Sequence, residues 1–341
     1  MCGLMGLYSG SKTFQGWPIS NADLDLLWHR GPDAQGWHLD DGVVMGFRRL
    51  SIIDLSGGDQ PLYSEDEKTV LMANGEIYNH HELRRQFQRR HRFRTHSDCE
   101  VLLHLYEDKG LDFLKDVNGM FGLALYDRAR HRVVLARDRA GQKPIYYSWK
   151  NGALRWGSEL RSFIAGELPP INREAVSEYL RFGYVPAPLT MLEGIRKLPA
   201  GCMLVAEEGS EPRVETYWSI SHSRDDAADP RDGELEEWSE RLRAGLRRAV
   251  GLRLESEVPM GFLLSGGVDS SSVMALGATE MRPERATAFT IGFESPDVDE
   301  TPAARETAGR YDAIHRVRIL PRDESLDLGD VLYMVEEPIS T

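Results

Sequence analysis

The chain has 341 residues, 41% of them hydrophobic and 28% charged, which is the composition of a globular protein with room for two domains. A net charge of −13 argues against general binding to nucleic acid or an anionic membrane surface. No apolar run is long enough to span a bilayer, and the N-terminus lacks the basic-then-apolar pattern of a secretory signal.

In the first two hundred residues, short strands alternate with a few helices. Gly42–Phe47 and Thr69–Ala73 read as strands. Arg84, Arg85, Arg89, Arg90, Arg92 and Arg94 read as a solvated helix face and loop. Ser97 is placed to cap a helix over Asp98–Lys109, with Val101, Leu102 and Leu105 on one face. Phe121–Tyr126 and Arg132–Arg137 suggest a hairpin. So do Ile145–Trp149 and Ala153–Trp156, which flank Asn151-Gly152, a pair that tolerates positive φ. These elements predict a sheet-rich α+β sandwich covered by helices. Ser221–Gly233 is polar and reads as a linker. Beyond it, Leu235, Trp238, Leu242, Leu246 and Val250 recur at helical spacing, predicting one buried stripe. An apolar strand at Gly261–Leu264, a glycine loop, a helix from Ser270 to Ala278 and a strand at Ala288–Phe293 then predict a parallel α/β unit.

The chemistry begins at Met-Cys-Gly. A small second residue permits removal of Met1, which leaves Cys2 with a free α-amine. That amine, with a reference pKa of about 7.7–8.0, can take the thiol proton, so nucleophile and base share one residue. A cysteine at position 2 is weak evidence alone. It is followed, however, by Arg30-Gly31-Pro32-Asp33, by Arg49-Leu50-Ser51-Ile52-Ile53-Asp54, by Asn74-Gly75-Glu76-Ile77-Tyr78-Asn79 and by Ser97-Asp98. In these motifs the sequence resembles the class II glutamine amidotransferases, and within them the glutamine-hydrolysing asparagine synthetases. The resemblance runs from Cys2 past Trp218 and into the second domain.

The resemblance implies an αββα sandwich of the N-terminal-nucleophile type over residues 2–220. A linker at 221–233 and a partial ATP pyrophosphatase-type α/β domain over 234–341 would follow. It implies that Cys2 attacks the glutamine amide, that Asn74 and the Gly75 N–H receive the oxyanion, and that Arg49 forks the α-carboxylate. Leu50, Ser51, Ile52 and Ile53 would complete the glutamine site, with Glu76 and Asp98 on the α-ammonium. Arg30, Gly31 and Asp33 read as structural support, and Cys99 and Cys202 as small buried hydrophobes.

Ser265-Gly266-Gly267-Val268-Asp269-Ser270 lies between a strand and a helix, where glycine amides and a helix N-terminus can hold phosphate. It resembles the pyrophosphate loop of enzymes that cleave ATP to AMP and pyrophosphate. By that resemblance, Asp269 would hold Mg²⁺, and the backbone at Leu264 and Ile291 would contact adenosine. The substrates implied are glutamine, aspartate and ATP, joined by a dry ammonia passage. Family members often dimerise, so a homodimer is a further expectation. The three cysteines form no disulfide framework or CxxC pair, so a reducing cytoplasm is the expected compartment. The sequence ends before the Gly-rich acidic segment that completes the family's synthetase domain. Amidation of another carboxylate and glutamine hydrolysis alone therefore stand beside asparagine synthesis as expectations.

Overall fold

The computed structural model describes residues 1–10, 19–164, 168–220, 234–321, 329 and 335–339. They form two units, the first holding the described residues up to 220 together with 335–339, the second those from 234 to 329. The sequence predicts a second domain running to 341. Residues 335–339 instead pack with the first unit, because Glu336 accepts hydrogen bonds from the Leu160 and Arg161 amides and Glu337 pairs with Lys197. The linker predicted at 221–233 lies outside the described residues.

The first unit contains β1 (Gly3–Ser9), α1 (Asn21–Asp25), β2 (Ala34–Asp40), β3 (Val43–Arg49), β4 (Leu62–Tyr63), β5 (Thr69–Ile77), α2 (His80–Phe87) and α3 (Val101–Lys109). It continues with β6 (Gly119–Asp127), β7 (Arg132–Arg137), β8 (Tyr146–Lys150), β9 (Ala153–Gly157), α4 (Arg173–Phe182), β10 (Arg196–Lys197), β11 (Cys202–Glu207) and β12 (Arg213–Thr216). Two antiparallel sheets result, ordered β10-β8-β9-β1-β3-β2 and β12-β11-β7-β6-β5-β4.

Strand periodicity builds the layers. Val43, Met45 and Phe47 of β3 meet Val70 and Met72 of β5 and Ala124 and Tyr126 of β6 in a core between the sheets. The alternate residues of the second sheet, Leu71, Ala73, Leu123 and Leu125, face outward onto Leu83 and Phe87 of α2 and Leu102 and Leu105 of α3. On the outer face of the first sheet, Met5 and Val44 pack against Leu24 of α1 and Leu27. The layers are α, β, β, α, as expected. The inner strands of both sheets are buried on both faces, which is why β3, β5, β6 and β7 read as apolar runs rather than strict alternations. Asn151 and Gly152 turn β8 into β9 with φ of 54° and 75°. The predicted helix at 98–109 starts as a 3₁₀ turn, Asp98–Glu100, capped by Ser97 Oγ on the Cys99 N–H.

The second unit runs α5 (Glu234–Gly251), β13 (Phe262–Leu263), α6 (Val268–Glu280), β14 (Thr287–Phe293), α7 (Thr301–Arg310) and β15 (Ile314–Leu320). Its three strands are parallel, in the order β13-β14-β15. The apolar stripe predicted on α5 is present, but only Val250 is buried. Leu235 and Leu242 are 72% and 64% exposed, because no described residue covers them.

Candidate active site

Strand pairing decides where the N-terminus lands. Gly3 of β1 stands opposite Arg48 of β3, so Cys2 comes level with the end of β3 and the loop that follows. There the Leu50 N–H donates to Cys2 Sγ at 3.3 Å. Arg30 Nε donates to the Cys2 carbonyl at 3.0 Å. The Arg30 guanidinium pairs with Glu159 at 2.6 Å, which also contacts His29 at 2.9 Å and Arg161 at 2.6 Å. The Cys2 side chain and backbone are thus each tied to the first sheet's surroundings. Burial pushes the Cys2 thiol up, while the Leu50 N–H, the amino terminus, Arg49 and Arg30 draw it back down. Burial lowers the terminal amine of Met1.

The second sheet supplies the facing wall. Asn74-Gly75 reads as a turn in isolation but lies inside β5, with Asn74 opposite Gly122 and Gly75 opposite Phe121 of β6. A Cβ at position 75 would sit 2.1 Å from the Met120 carbonyl oxygen, so the strand pairing itself requires glycine. Asn74 is buried, and its Nδ2 has no acceptor among the described residues. Such an orphan is unusual, because a buried donor left unmade costs about 1–3 kcal/mol. Just before it, Gln60 brackets Ala73, accepting from its N–H at 2.7 Å and donating to its carbonyl at 3.0 Å. Asp98 accepts from the Ile77 N–H at 2.6 Å. Burial pushes its carboxyl up, against the pull of the backbone amides and His80.

One cavity gathers Cys2, Arg49, Leu50, Ile52, Ile53, Asn74, Gly75, Glu76 and Asp98. Of the residues predicted for the glutamine site, Ser51 falls outside its lining, and the Ser51 N–H instead donates to Asp33 at 2.8 Å. Arg49 lines the cavity with its fork already engaged. Nη2 donates to the Ile53 and Asp54 carbonyls at 3.1 and 2.6 Å, and Nη1 to the Leu55 carbonyl at 3.3 Å and Asp59 at 2.8 Å. Sequence reading missed Gln60, Asp59 and Lys143. Each owes its place to tertiary contact, and none carries a periodic or motif signal.

In the second unit, α6 begins at Val268, two residues before the predicted start, so Asp269 and Ser270 lie in its first turn. The loop is braced from within. Ser265 Oγ lies 2.8 Å from Ser270 Oγ, and the Gly267 N–H donates to Ser265 Oγ at 3.2 Å. The adjoining cleft is lined by Leu264, Ser265, Ser270 and Ile291, with Arg316 and Arg318 of β15. Gly266, Gly267, Val268 and Asp269 are not part of that lining. The two arginines, not singled out in the sequence, share one face because they lie two apart on a strand.

A helix-clad two-sheet sandwich, with a cysteine at the head of its first strand and an unpartnered amide donor across the cavity, defines an amidotransferase head of the N-terminal-nucleophile type. The chain belongs to the glutamine amidotransferase family: the family model described as glutamine amidotransferase domain matches residues 1–218, and one described as asparagine synthase matches residues 241–341. It is 31% identical to the glutamine-hydrolyzing asparagine synthetase 1 of Bacillus subtilis (strain 168), over 100% of this chain and 54% of that protein. It is 34% identical to the glutamine-hydrolyzing asparagine synthetase B of Escherichia coli (strain K12), over 91% of this chain and 52% of that protein. To the amidase chyE of Penicillium rubens it is 33% identical, over 93% of this chain and 49% of that protein. The chain spans about half the length of the curated relatives it matches. Among the described residues, no helix is long and apolar enough to cross a membrane.

Proposed function

We propose that Cys2 hydrolyses glutamine and that the ammonia released aminates an aspartyl adenylate, giving asparagine, AMP and pyrophosphate. The single observation that carries the first step is Asn74 Nδ2, a buried donor without an acceptor in the cavity that holds Cys2. With Met1 removed, the Cys2 amine takes the thiol proton and sulfur attacks the amide carbon. The carbonyl oxygen, now negative, is received by Asn74 Nδ2 and the Gly75 N–H. Collapse breaks the C–N bond, the amine returns its proton to the leaving nitrogen, and water then cleaves the thioester to glutamate. Glu76 and Asp98 take the substrate ammonium. Arg49 takes the α-carboxylate, which replaces Asp59 on Nη1.

The second step is supported by the parallel strand-loop-helix unit and its match to the asparagine synthase family. The first-turn amides of α6 offer a seat for phosphate. Mg²⁺ binds through one or two carboxylates plus substrate phosphates, and the exposed Asp269 fits such a site. Asp269 would hold the ion against the phosphates, and the ion would neutralise their charge.

The test is incubation with amide-labelled glutamine, aspartate, ATP and magnesium. Labelled asparagine with stoichiometric AMP is expected. Glutamate without asparagine would overturn the synthetase step, and AMP release with another carboxylate would redirect it. Asn74→Ala is expected to lower kcat for glutamate formation by about 10²–10³ with little change in KM. Unchanged kcat would remove Asn74 from the mechanism.

A further inference from the structure

The cavity around Cys2 contains a cation that the reaction above leaves without a task. Lys143, in the segment between β7 and β8, lines the cavity and is 8% exposed. Its backbone is fixed, with its N–H donating to Asp138 Oδ2 at 3.0 Å and its carbonyl accepting from Arg137 Nε at 3.0 Å. Asp138 could serve as its counter-ion, but that carboxylate also accepts from the Phe121, Ala140 and Gln142 amides. Among the described residues, no carboxylate oxygen comes within 4.0 Å of the Lys143 ammonium. A buried ammonium without a close anion is costly, and such sites persist where an anion forms or arrives. Asp138 acts on Lys143 but is committed to those backbone amides, and the two further anions that act on it are the Cys2 thiolate and Glu76, which line the same cavity. Glu76 is assigned to the substrate ammonium, which leaves the thiolate.

We propose that Lys143 is a positioning residue whose ammonium stabilises the Cys2 thiolate and so sets the fraction of enzyme ready to attack. The role rests on Cys2 being the glutaminase nucleophile. It answers an electrostatic problem visible in the cavity. Burial disfavours the thiolate, and Leu50 supplies one N–H to offset it. Arg30 and Arg49 also act on the thiolate, but their donors are engaged by the Cys2 carbonyl and Glu159 and by the loop after Ile52. Lys143 has no such prior partner at its head group. Burial lowers its own pKa, as does Arg30, whereas Asp138, Cys2 and Glu76 raise it. Because a Coulomb interaction is mutual, the thiolate that raises the Lys143 pKa would be favoured by the ammonium in turn.

The experiment reads the thiol directly, without glutamine turnover. In the Met1-processed protein, the pH dependence of Cys2 alkylation by iodoacetamide gives the thiol pKa. Lys143→Met and Lys143→Gln are expected to raise that pKa by at least one unit, slowing alkylation near neutral pH about tenfold. Lys143→Arg is expected to restore most of the rate. The facing groups Arg30, Arg49, Asp33, Glu76, Asp98, Asp138 and the terminal amine are unchanged in all three variants, so the difference reports on Lys143. An alkylation profile in Lys143→Met that superimposes on the parent's would overturn the proposal.

A reciprocal measurement covers neutral variants that do not fold. Cys2→Ala is expected to lower the pKa of Lys143, read from the pH dependence of its acetylation by acetic anhydride, and no change there would equally overturn it. Parent protein that alkylates normally yet forms no glutamate would fail the glutaminase reading instead, so the two failures are distinct.

Discussion

Arg49 builds the wall of the cavity in which we propose it binds substrate. It is 5% exposed and organises the loop after β3 by donating to three successive carbonyls, those of Ile53, Asp54 and Leu55. Its remaining partner, Asp59, is 68% exposed at the side chain and can swing into solvent. A substrate carboxylate entering the cavity meets Asp59 as a competitor for Nη1. A half-exposed ion pair of this kind is worth about 0.2–1 kcal/mol. Asp59→Asn is therefore expected to lower KM for glutamine by up to about fivefold with kcat unchanged, as measured by steady-state glutaminase assays. A raised KM would show that Asp59 holds the loop rather than blocks it. Arg49's place in the cavity was legible from its motif, but its partner Asp59 was not, because Asp59 comes ten residues later and meets Arg49 only through the fold. Gln60 was hidden for the same reason, since it is placed by Ala73, thirteen residues later. A buried polar residue leaves no trace in hydrophobic periodicity when its partner is distant in sequence.

Elements fared better where their chemistry is local. The Asn151-Gly152 hairpin and the Ser97 cap depend on adjacent residues and were readable directly. Asn74-Gly75 carries the same letters as a turn but sits in a strand, because Phe121 and Gly122 pair against it. The α5 stripe was predicted as a pattern, yet a pattern does not say what covers it. The 335–339 segment was assigned to the second domain for a related reason, since its anchors, the 3₁₀-helix amides of residues 160 and 161, are distant in sequence.

That anchoring has a pH dependence whose sign can be worked out. Glu336 is pushed up to about 7 by burial and then by Glu159, against the pull of the Leu160 and Arg161 amides and the Arg161 guanidinium. Tyr146 also faces it, held neutral by burial and by Glu337 and Glu336. An acid whose docked pKa exceeds its ordinary value of 4.5 binds more protons docked than undocked between those values. Its stabilisation is complete below 4.5 and is lost as pH rises through about 7. Hydrogen exchange at the Leu160 and Arg161 amides, corrected for intrinsic rate, is expected to lose protection on the order of 100-fold between pH 5 and 8. Glu336→Gln is expected to flatten that dependence. A profile equally steep in the variant would take the titration away from Glu336.

At the scale of the whole molecule, the two units differ in how they bury apolar surface. The first has two large cores rich in Leu, Phe, Tyr and Val, one between its sheets and one beneath α2 and α3. The second unit's core consists of Phe262, Leu264, Met274 and six alanines. Alanine contributes little transfer energy on burial, and the strands of the second unit leave Leu263 and Ile291 83% and 59% exposed. Each core has its own residues, so a single two-state transition is not the expectation. Calorimetry is expected to show two transitions, with the second unit melting first. Because a ligand stabilises only the state that binds it, ATP with magnesium at 100 times its Kd adds about 2.7 kcal/mol to the lower transition, a rise on the order of 10 °C for a unit of this size. An electrophilic glutamine analogue coupled to Cys2 is expected to move the upper transition and leave the lower in place. If one transition carried both shifts, the units would unfold as a single cooperative body. The glutamine and nucleotide sites would then be coupled through stability itself, and the assignment of each ligand to its own core would fall.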